Sequence, residues 1–245
     1  MEPKFIPLAA DEPFCFCCSP AGPCFNACCR DLNQAVAPYD ILRLKNGLGL
    51  ASGRFLENFT NQHIGPESGL PVITLKPDQK TDRLCPFVTP QGCSVYPNRP
   101  ASCRLYPLAR GTSRDRQTGD IREHFALIQE PHCLGFRLND PQTARSWIKS
   151  QELDRYNEFN DLFLELIGLK NKRVTGPLDL VARHLFHRAL YDLDAFREQI
   201  FHRGFPEHWR IDVAEREKLI NDDEALLRWA HTYVKKALFT DDAQR

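Results

Sequence analysis

The amino-acid sequence predicts a mainly α fold with irregular loops and one small β-hairpin, an α+β arrangement with little sheet. Two observations predict it. All ten cysteines lie before residue 134, in a stretch where apolar residues are scattered among prolines and glycines. From Asp140 onward aromatic and aliphatic residues instead recur at helical spacing. We therefore expect a cysteine-rich, metal-organised domain over residues 1–138, a helical domain or scaffold over 139–240, and a tail over 241–245.

The first part is expected to contain only short regular elements. Pro38 suits the first turn of a helix, because the N–H that proline lacks would have no partner there, and Gly47 stops this helix. Ser52 is a suitable cap for a second helix. The predicted elements are a helix over residues 38–46, a helix after Ser52, a strand over 72–75, and a hairpin of 105–110 with 121–128.

The second part is expected to be helical. Its apolar residues fall three and four positions apart, which places them on one face of each helix and predicts a core without any ligand. We expect one helix to begin at Asp140-Pro141 and another at Pro177. The helical pattern of apolar residues continues through 156–166, and further helices are expected over 194–201 and 222–239.

The composition excludes two classes of partner. The apolar fraction of 42% and the charged fraction of 26% are ordinary for a globular protein. Lys and Arg together equal Asp and Glu at 32 each, so the chain has no net positive field to attract nucleic acid. No window approaches about 18 consecutive apolar residues, and the N-terminus lacks the pattern of a signal peptide. We expect a cytoplasmic protein without nucleic-acid or membrane partners, in a compartment that keeps thiols reduced.

The cysteines form two clusters and one isolated position. They are Cys15, Cys17, Cys18, Cys24, Cys28 and Cys29 in the first cluster, Cys85, Cys93 and Cys103 in the second, and Cys133 alone. Gly22-Pro23 and Gly92 supply turns that aim sulfurs at a common point. Thiolates select zinc, copper(I) or iron–sulfur clusters, and four of them complete a tetrahedral shell. Disulfides and buried apolar cysteines explain this concentration less well, so the sequence predicts metal ions as the partners.

Basic residues accompany the cysteines. A centre with many thiolates carries negative charge, which nearby cations and backbone N–H groups must offset. The arginines expected to do so are Arg30, Arg83, Arg99 and Arg104. His132, next to Cys133, is a reserve ligand.

The cysteine motifs resemble those of a known family. The residues that carry the resemblance are Cys24-x3-Cys28-Cys29-Arg30-Asp31, Tyr39 to Leu44, Phe55-Leu56, Cys85-Pro-Phe, Gly92-Cys93-Ser-Val-Tyr96, Arg99-Pro100 and Cys103-Arg-Leu-Tyr-Pro107. Over about residues 14–135 the chain is similar in these motifs to the YkgJ-type cysteine cluster family, which is described as zinc- or iron-chelating.

The resemblance implies a set of metal ligands. They are Cys18, Cys24, Cys28, Cys29, Cys85, Cys93, Cys103 and Cys133. Five residues separate Cys18 from Cys24, whereas the compact form of the family is Cys-x2-Cys-x2-Cys-Cys. Cys15 or Cys17 is therefore an alternative to Cys18.

The spacing of the cysteines favours an iron–sulfur cluster over zinc. Structural zinc sites usually use paired Cys-x2-Cys knuckles. In this chain Cys28 and Cys29 are adjacent and point in different directions, so they reach one ion with difficulty. A polynuclear centre spreads its ligand positions and accommodates both.

Three functions remain open from the sequence. The first is a metal-binding protein that is non-catalytic or accessory. The second is an iron–sulfur-dependent N-methyltransferase related to flagellin lysine methylases, which contain a similar cysteine motif. The radical S-adenosylmethionine signature would need a third cysteine at the position of Asp31, after Cys24 and Cys28. The third is a redox sensor that uses the adjacent thiols Cys17-Cys18 and Cys28-Cys29.

Overall fold

A computed structural model describes residues 3–30, 33–78, 83–115, 117–118, 120–137, 140–203 and 211–240. Helices predominate and the sheets are small, which confirms the predicted fold class. The α-helices are α1 Pro38–Gly47, α2 Ser52–Phe59, α3 Ala101–Leu105, α4 Ala144–Ser150, α5 Asp154–Arg173, α6 Leu180–Leu190, α7 Leu193–Arg203, α8 Val213–Asn221 and α9 Asp223–Phe239.

The strands form one three-stranded sheet and three two-stranded ribbons. They are β1 Lys4–Leu8, β2 Phe14–Cys15, β3 Thr60–Ile64, β4 Pro71–Leu75, β5 Val88–Thr89, β6 Gly92–Cys93, β7 Leu108–Arg114, β8 Ile121–Gln129 and β9 Pro141–Gln142. The larger sheet has the order β1-β8-β7, and β2 pairs with β9, β3 with β4, and β5 with β6, all antiparallel.

The described residues divide into two compact units. One comprises Met1–Leu32 with Pro77–Asn157, and the other comprises Asn33–Lys76 with Glu158–Arg245. The predicted division into domains over 1–138 and 139–240 concerns independent folding and stays a prediction. The predicted tail over 241–245 lies outside the described residues.

The first unit is built on the predicted hairpin. The strands β7 and β8 pair with Leu108 opposite Leu127, and β1 joins the other edge of β8. An apolar cluster is buried against this sheet: Leu8, Phe14, Phe16, Leu108, Phe125, Leu127 and Ala144. The Phe16 ring lies edge-on to the rings of Phe136 and Trp147, at centroid distances of 5.2 and 5.6 Å. Phe16 therefore anchors the loop in which Cys15 and Cys17 lie.

The second unit packs helices around buried aromatic rings. Tyr39 of α1 stacks on Phe159 of α5, with ring centroids 4.5 Å apart. Lys45, at the end of α1, is buried and its Nζ lies 3.2 Å from Asp194 Oδ1 and 3.1 Å from Asp223 Oδ2. The lysine charge is thus matched by two carboxylates where water is largely excluded.

Two helix starts differ from the sequence prediction. Asp140-Pro141 does not open a helix, because Pro141 and Gln142 form β9, and α4 starts at Ala144 after the cap Thr143. The Thr143 side chain accepts a hydrogen bond from the Ser146 N–H, which satisfies one of the unpaired donors of the first turn. In the same way α6 starts after Asp179 rather than at Pro177.

No helix within the described ranges is both long enough and apolar enough to cross a membrane.

Candidate metal centre

All ten cysteines lie in the first unit, and none of them forms a disulfide. Loops and short elements carry them. Cys28 and Cys29 end a 3-10 turn over Ala27–Cys29, Cys93 ends β6, Cys103 lies in α3, and Cys133 precedes a 3-10 turn over Gly135–Arg137. Short elements of this kind are usual where a metal supplies rigidity that longer secondary structure would otherwise give.

Backbone hydrogen bonds join the two cysteine clusters of the sequence. The Cys85 N–H donates to the Cys29 carbonyl oxygen at 2.8 Å, and Arg30 forms an antiparallel bridge with Leu84. Residues distant in sequence are therefore fixed side by side, with Cys29 next to Cys85. The neighbouring residue of the family motif, Asp31, lies outside the described residues.

A second set of bonds joins the first cluster to the isolated cysteine. The Cys17 N–H donates to the Gly135 carbonyl oxygen at 3.1 Å. The Leu134 N–H donates to Cys24 Sγ at 3.2 Å. A backbone N–H aimed at a sulfur stabilises the thiolate form, which is the form that binds metal. This contact also places Cys24 beside the segment of Cys133.

Three thiols form what we call the Cys24 group: Cys18, Cys24 and Cys133. The pKa of Cys18 is raised, first because protein atoms crowd its sulfur and then because the charges of Cys28, Cys24 and Cys133 lie within electrostatic range. Cys17 acts on Cys18 more weakly. The charges of these thiols therefore act on one another.

Four thiols form what we call the Cys93 group: Cys29, Cys85, Cys93 and Cys103. The pKa of Cys85 is raised by burial, and the charge of Cys93 raises it further. Cys85 and Cys103 both lie within electrostatic range of Cys29. The pKa of Cys93 is also raised by burial, while the guanidinium of Arg99 opposes this shift.

Cys28 lies between the two groups. The thiols of Cys28 and Cys29 share a hydrogen bond, which lowers the pKa of Cys28 and raises that of Cys29. Cys18, Cys85 and Cys93 each lie within electrostatic range of Cys28. Each of the eight cysteines that the family resemblance implied as ligands therefore interacts electrostatically with at least one other thiol of the set.

Arg99 is the arginine whose charge reaches the sulfurs. Its guanidinium lies 3.7 Å from the ring centroid of Tyr96 and donates to the Gln151 Oε1 at 2.6 Å. Burial lowers the pKa of Arg99, and the nearby Cys103 and Cys93 oppose that effect. A buried cation beside two thiols offsets the charge that they acquire on deprotonation.

Arg104 holds the chain around Cys103. Its guanidinium is buried and donates to the carbonyl oxygens of Pro97, of Arg99 and, at 2.8 Å, of Gln151. The arginine thereby ties α3 to the turn that precedes it. The other two predicted arginines lie in loops: Arg30 is in the bridge with Leu84, and Arg83 has a positive φ of 57°.

Tyr106 and Glu130 adjoin the Cys24 group and were missed by the sequence reasoning. The Tyr106 hydroxyl is buried and forms no hydrogen bond of normal geometry with the described residues. Burial raises the pKa of Tyr106 far above its usual range, and the neighbouring Cys133 and Glu130 raise it further. His132, the reserve ligand, has its Nε2 3.4 Å from Glu130 Oε2. Tyr106 lies in the Cys103-Arg-Leu-Tyr-Pro107 motif of the sequence, but the motif does not show that folding would bury its hydroxyl.

Two glycines allow the close approach of the loops. A Cβ added to Gly135 would lie 2.6 Å from Phe16 Cε2 and 2.8 Å from the Cys17 carbonyl oxygen. A Cβ on Gly92, which has a φ of 118°, would lie 3.0 Å from Phe25 Cζ. Glycine is therefore required next to Cys93 and near Cys133 for the sulfurs to meet.

The cysteine sulfurs are suitable ligands for a thiophilic metal, although they do not form a closed coordination shell. Among the described residues, no three His, Cys, Asp or Glu side chains stand close enough together to hold a metal ion as they are placed. The thiols form no disulfide and come from separate segments, and thiolates are the ligands that zinc or iron–sulfur centres use. Closure of a metal shell would need movement of side chains.

The comparison with family models agrees with this chemistry. Residues 17–133 match the CxxCxxCC family, described as "Putative zinc- or iron-chelating domain". This segment is therefore similar to the cysteine-cluster family that the motifs predicted, and the family description supports metal binding. No curated protein and no solved structure matches the chain significantly.

Proposed function

We propose that this protein binds zinc or iron through eight cysteine thiolates and acts as a non-catalytic or accessory metal-binding protein. The ligands are Cys18, Cys24, Cys28, Cys29, Cys85, Cys93, Cys103 and Cys133. One observation carries the proposal: these eight thiols form no disulfide, and hydrogen bonds bring their segments together, Cys85 to Cys29 and the segment of Cys133 to Cys24. Reduced thiols also agree with a cytoplasmic location.

Closure of a metal shell would take place by rotation of side chains. A cysteine side chain occupies one of three staggered χ1 positions, and a change between them moves the sulfur while the backbone stays in place. The backbone bond from the Cys85 N–H to the Cys29 carbonyl oxygen would persist through such rotations. The gain from metal–sulfur bonds exceeds the cost of a rotamer change.

An iron–sulfur cluster is the favoured form of the metal. The sulfurs of Cys28 and Cys29 are adjacent in the chain, and thiols of both sequence clusters interact with them. Cys28 interacts with Cys18, Cys85 and Cys93, and Cys29 interacts with Cys85 and Cys103. A centre with several metal positions accepts ligands spread in this way more readily than one tetrahedral ion does. The charge of Arg99 and the N–H of Leu134 would offset part of the thiolate charge.

Anaerobic purification tests the proposal. The wild-type protein should contain zinc or iron by elemental analysis, and acid-labile sulfide with visible absorption should accompany iron if a cluster is present. Cys93→Ser should lower the metal content, whereas Gly111→Ala should retain it, because no atom lies within 4 Å of the added Cβ. A wild-type protein that is folded but free of both metals, even after reconstitution, would refute the proposal.

The methyltransferase and redox-sensor functions stay predictions. Calorimetry with S-adenosylmethionine tests the first. Mass spectrometry of the oxidised protein tests the second, because a disulfide between adjacent cysteines removes two hydrogens without joining separate segments.

A further inference from the structure

We propose that the second unit contains an anion-binding site whose central group is the ammonium of Lys170. The site, which we call the Lys170 site, consists of Lys170 at the end of α5 and of the two turns beside it, at Gly69 and at Gly176. Its ligand would be a small oxyanion, with the chemistry of inorganic phosphate. These residues all belong to the second unit, whereas every cysteine lies in the first.

Lys170 is a buried lysine without an acidic partner. It is 3% exposed, and among the residues that the structure describes none forms an ion pair or a side-chain hydrogen bond with its Nζ. Lys45, which is also buried in this unit, is instead matched by Asp194 and Asp223. Removal of an ammonium from water is costly unless another group offsets its charge. A bound anion would supply that group at Lys170.

Two glycines keep side chains away from this ammonium. A Cβ added to Gly69 would lie 2.8 Å from Lys170 Nζ and 2.7 Å from the Gly176 carbonyl oxygen. Gly69 and Gly176 have φ values of 64° and 77°, in the left-handed region that favours glycine. A Cβ added to Gly176 would have no atom within 4 Å, and Gly176 is exposed. The backbone beside the ammonium is therefore bare, and the turn at Gly176 borders solvent.

The turn at Gly176 also supplies hydrogen-bond donors. The Leu178 N–H donates to the Gly69 carbonyl oxygen at 3.3 Å, which holds the two turns together. Within the described ranges, the N–H groups of Thr175 and Gly176 donate to no protein acceptor. Both residues are exposed, so a ligand that approaches from solvent can accept from them. Successive N–H groups next to a left-handed residue are a common arrangement for binding oxyanions.

The surrounding chain is basic, which favours an anion as the ligand. The last turn of α5 contains Lys170, Lys172 and Arg173. No acidic side chain occurs from residue 166 to residue 178. Glu67, which precedes β4, is exposed and forms no ion pair with Lys170. An anion would thus meet one full charge at the ammonium, and the neighbouring cations would raise its local concentration.

A purely structural role for Lys170 makes a different prediction. A cation in the last turn of a helix is stabilised by the negative end of the helix dipole. In that case Lys170→Met would lower the unfolding temperature whether or not phosphate is present. At an anion site the same replacement removes an uncompensated buried charge, so the phosphate-free variant should unfold at the wild-type temperature or above it.

Thermal unfolding of the full chain in inorganic phosphate tests the proposal. With phosphate at about ten times its dissociation constant and the ionic strength held fixed, the unfolding temperature of the wild type should rise by about 3–6 °C. Lys170→Met should show no rise. Arg54→Met, which alters an exposed cation of the same unit, should show the full rise. Broadening of the phosphorus-31 NMR signal of phosphate should follow the same order among the three proteins.

Three results would overturn the Lys170 site. They are a wild type that phosphate neither stabilises nor broadens, an equal response from Lys170→Met, and a destabilised Lys170→Met that phosphate leaves unchanged. Lys170→Gln replaces Lys170→Met in the comparison if the methionine variant does not fold. Metal content is measured separately on the wild type, so loss of the Lys170 site and loss of the proposed function are distinguishable.

Discussion

The Cys85 N–H donates to the Cys29 carbonyl oxygen at 2.8 Å, so one backbone bond ties together the two cysteine clusters of the sequence. The bond is part of a local antiparallel arrangement that includes Arg30 and Leu84. Contacts of this kind position thiols before any metal arrives. They predict that disturbing the loops changes metal binding even where no cysteine is altered.

Replacement of Gly135 should destabilise the first unit and weaken metal binding. In Gly135→Ala the new Cβ meets the Phe16 ring at 2.6 Å and the Cys17 carbonyl oxygen at 2.8 Å, so the loops must separate. Overpacking of this kind costs about 1–3 kcal/mol. Denaturant unfolding and metal content measure the two effects. Gly111→Ala is the matched control, because no atom lies within 4 Å of its added Cβ; equal behaviour of both variants would contradict the packing described for Gly135.

Removal of the Tyr106 hydroxyl should have opposite effects on the metal-free and metal-loaded protein. The buried hydroxyl has no normal hydrogen bond within the described residues, so Tyr106→Phe should stabilise the metal-free protein by about 1 kcal/mol. A metal-bound thiolate at Cys133 would accept a hydrogen bond from this hydroxyl. In the metal-loaded protein the same change should therefore speed metal release and shift the sulfur-to-metal charge-transfer band of the absorption spectrum.

The control for this prediction is Tyr96→Phe. Tyr96 is 58% exposed, so loss of its hydroxyl should change neither the free energy of unfolding nor the rate of metal release. A Tyr106→Phe protein with an unchanged spectrum and release rate would show that the hydroxyl has no role at the metal.

Acid should destabilise the second unit through His231. This side chain is 4% exposed, and its Nδ1 lies 2.8 Å from the Leu227 carbonyl oxygen. Burial lowers the pKa of His231 to about 4, Arg228 lowers it further, and Glu165 opposes the shift. The unfolded chain therefore binds a proton at this histidine below about pH 6.5, whereas the folded chain does so only below about pH 4.

The resulting loss of stability falls between these two pKa values. As the pH decreases from 6.5 to 4, the free energy of unfolding should decrease by on the order of 3 kcal/mol. In His231→Gln this part of the pH dependence should disappear. Denaturant unfolding across the range measures it, with the exposed His63→Gln as the control. Parallel pH profiles for the wild type and His231→Gln would disprove the assignment.

Loss of Lys45 should be far more costly than loss of a surface arginine. The Lys45 Nζ lies within 3.2 Å of Asp194 and Asp223, in a position that leaves 6% of the lysine side chain exposed. Lys45→Met leaves Asp194 and Asp223 still paired with Arg197, and loss of charge-assisted hydrogen bonds costs about 1.5–3 kcal/mol. Arg54→Met is the control: Arg54 pairs with Glu57 at 3.0 Å, but both are exposed, so the change should be below about 1 kcal/mol. Thermal unfolding compares the two variants.

The helices could be predicted from the sequence because their cause is local. α1 and α9 follow from apolar spacing, from Pro38 at the first turn and from Asp222 at the cap, and each formed within a residue of its predicted bounds. The start of α4 was wrong because Pro141 is compatible both with a first helical turn and with a strand edge. The strand β1 was missed since Pro7 interrupts it, and its partner β8 is distant in sequence.

The family and its metal-chelating character could likewise be predicted, because clustered thiols carry a specific chemistry and spacing. Which cysteine segments lie side by side could not be predicted from the sequence. It depends on backbone bonds between Cys17 and Gly135 and between Cys29 and Cys85, which no local pattern encodes. Only the folded structure shows that the Tyr106 hydroxyl is buried beside Cys133.

The β7-β8 hairpin lies between Cys103 and Cys133 along the chain, and this has a consequence for biosynthesis. On a growing polypeptide nine of the ten cysteines emerge from the ribosome before the hairpin does, and Cys133 follows it. A metal centre that includes Cys133 could therefore be completed only after the whole hairpin has been synthesised.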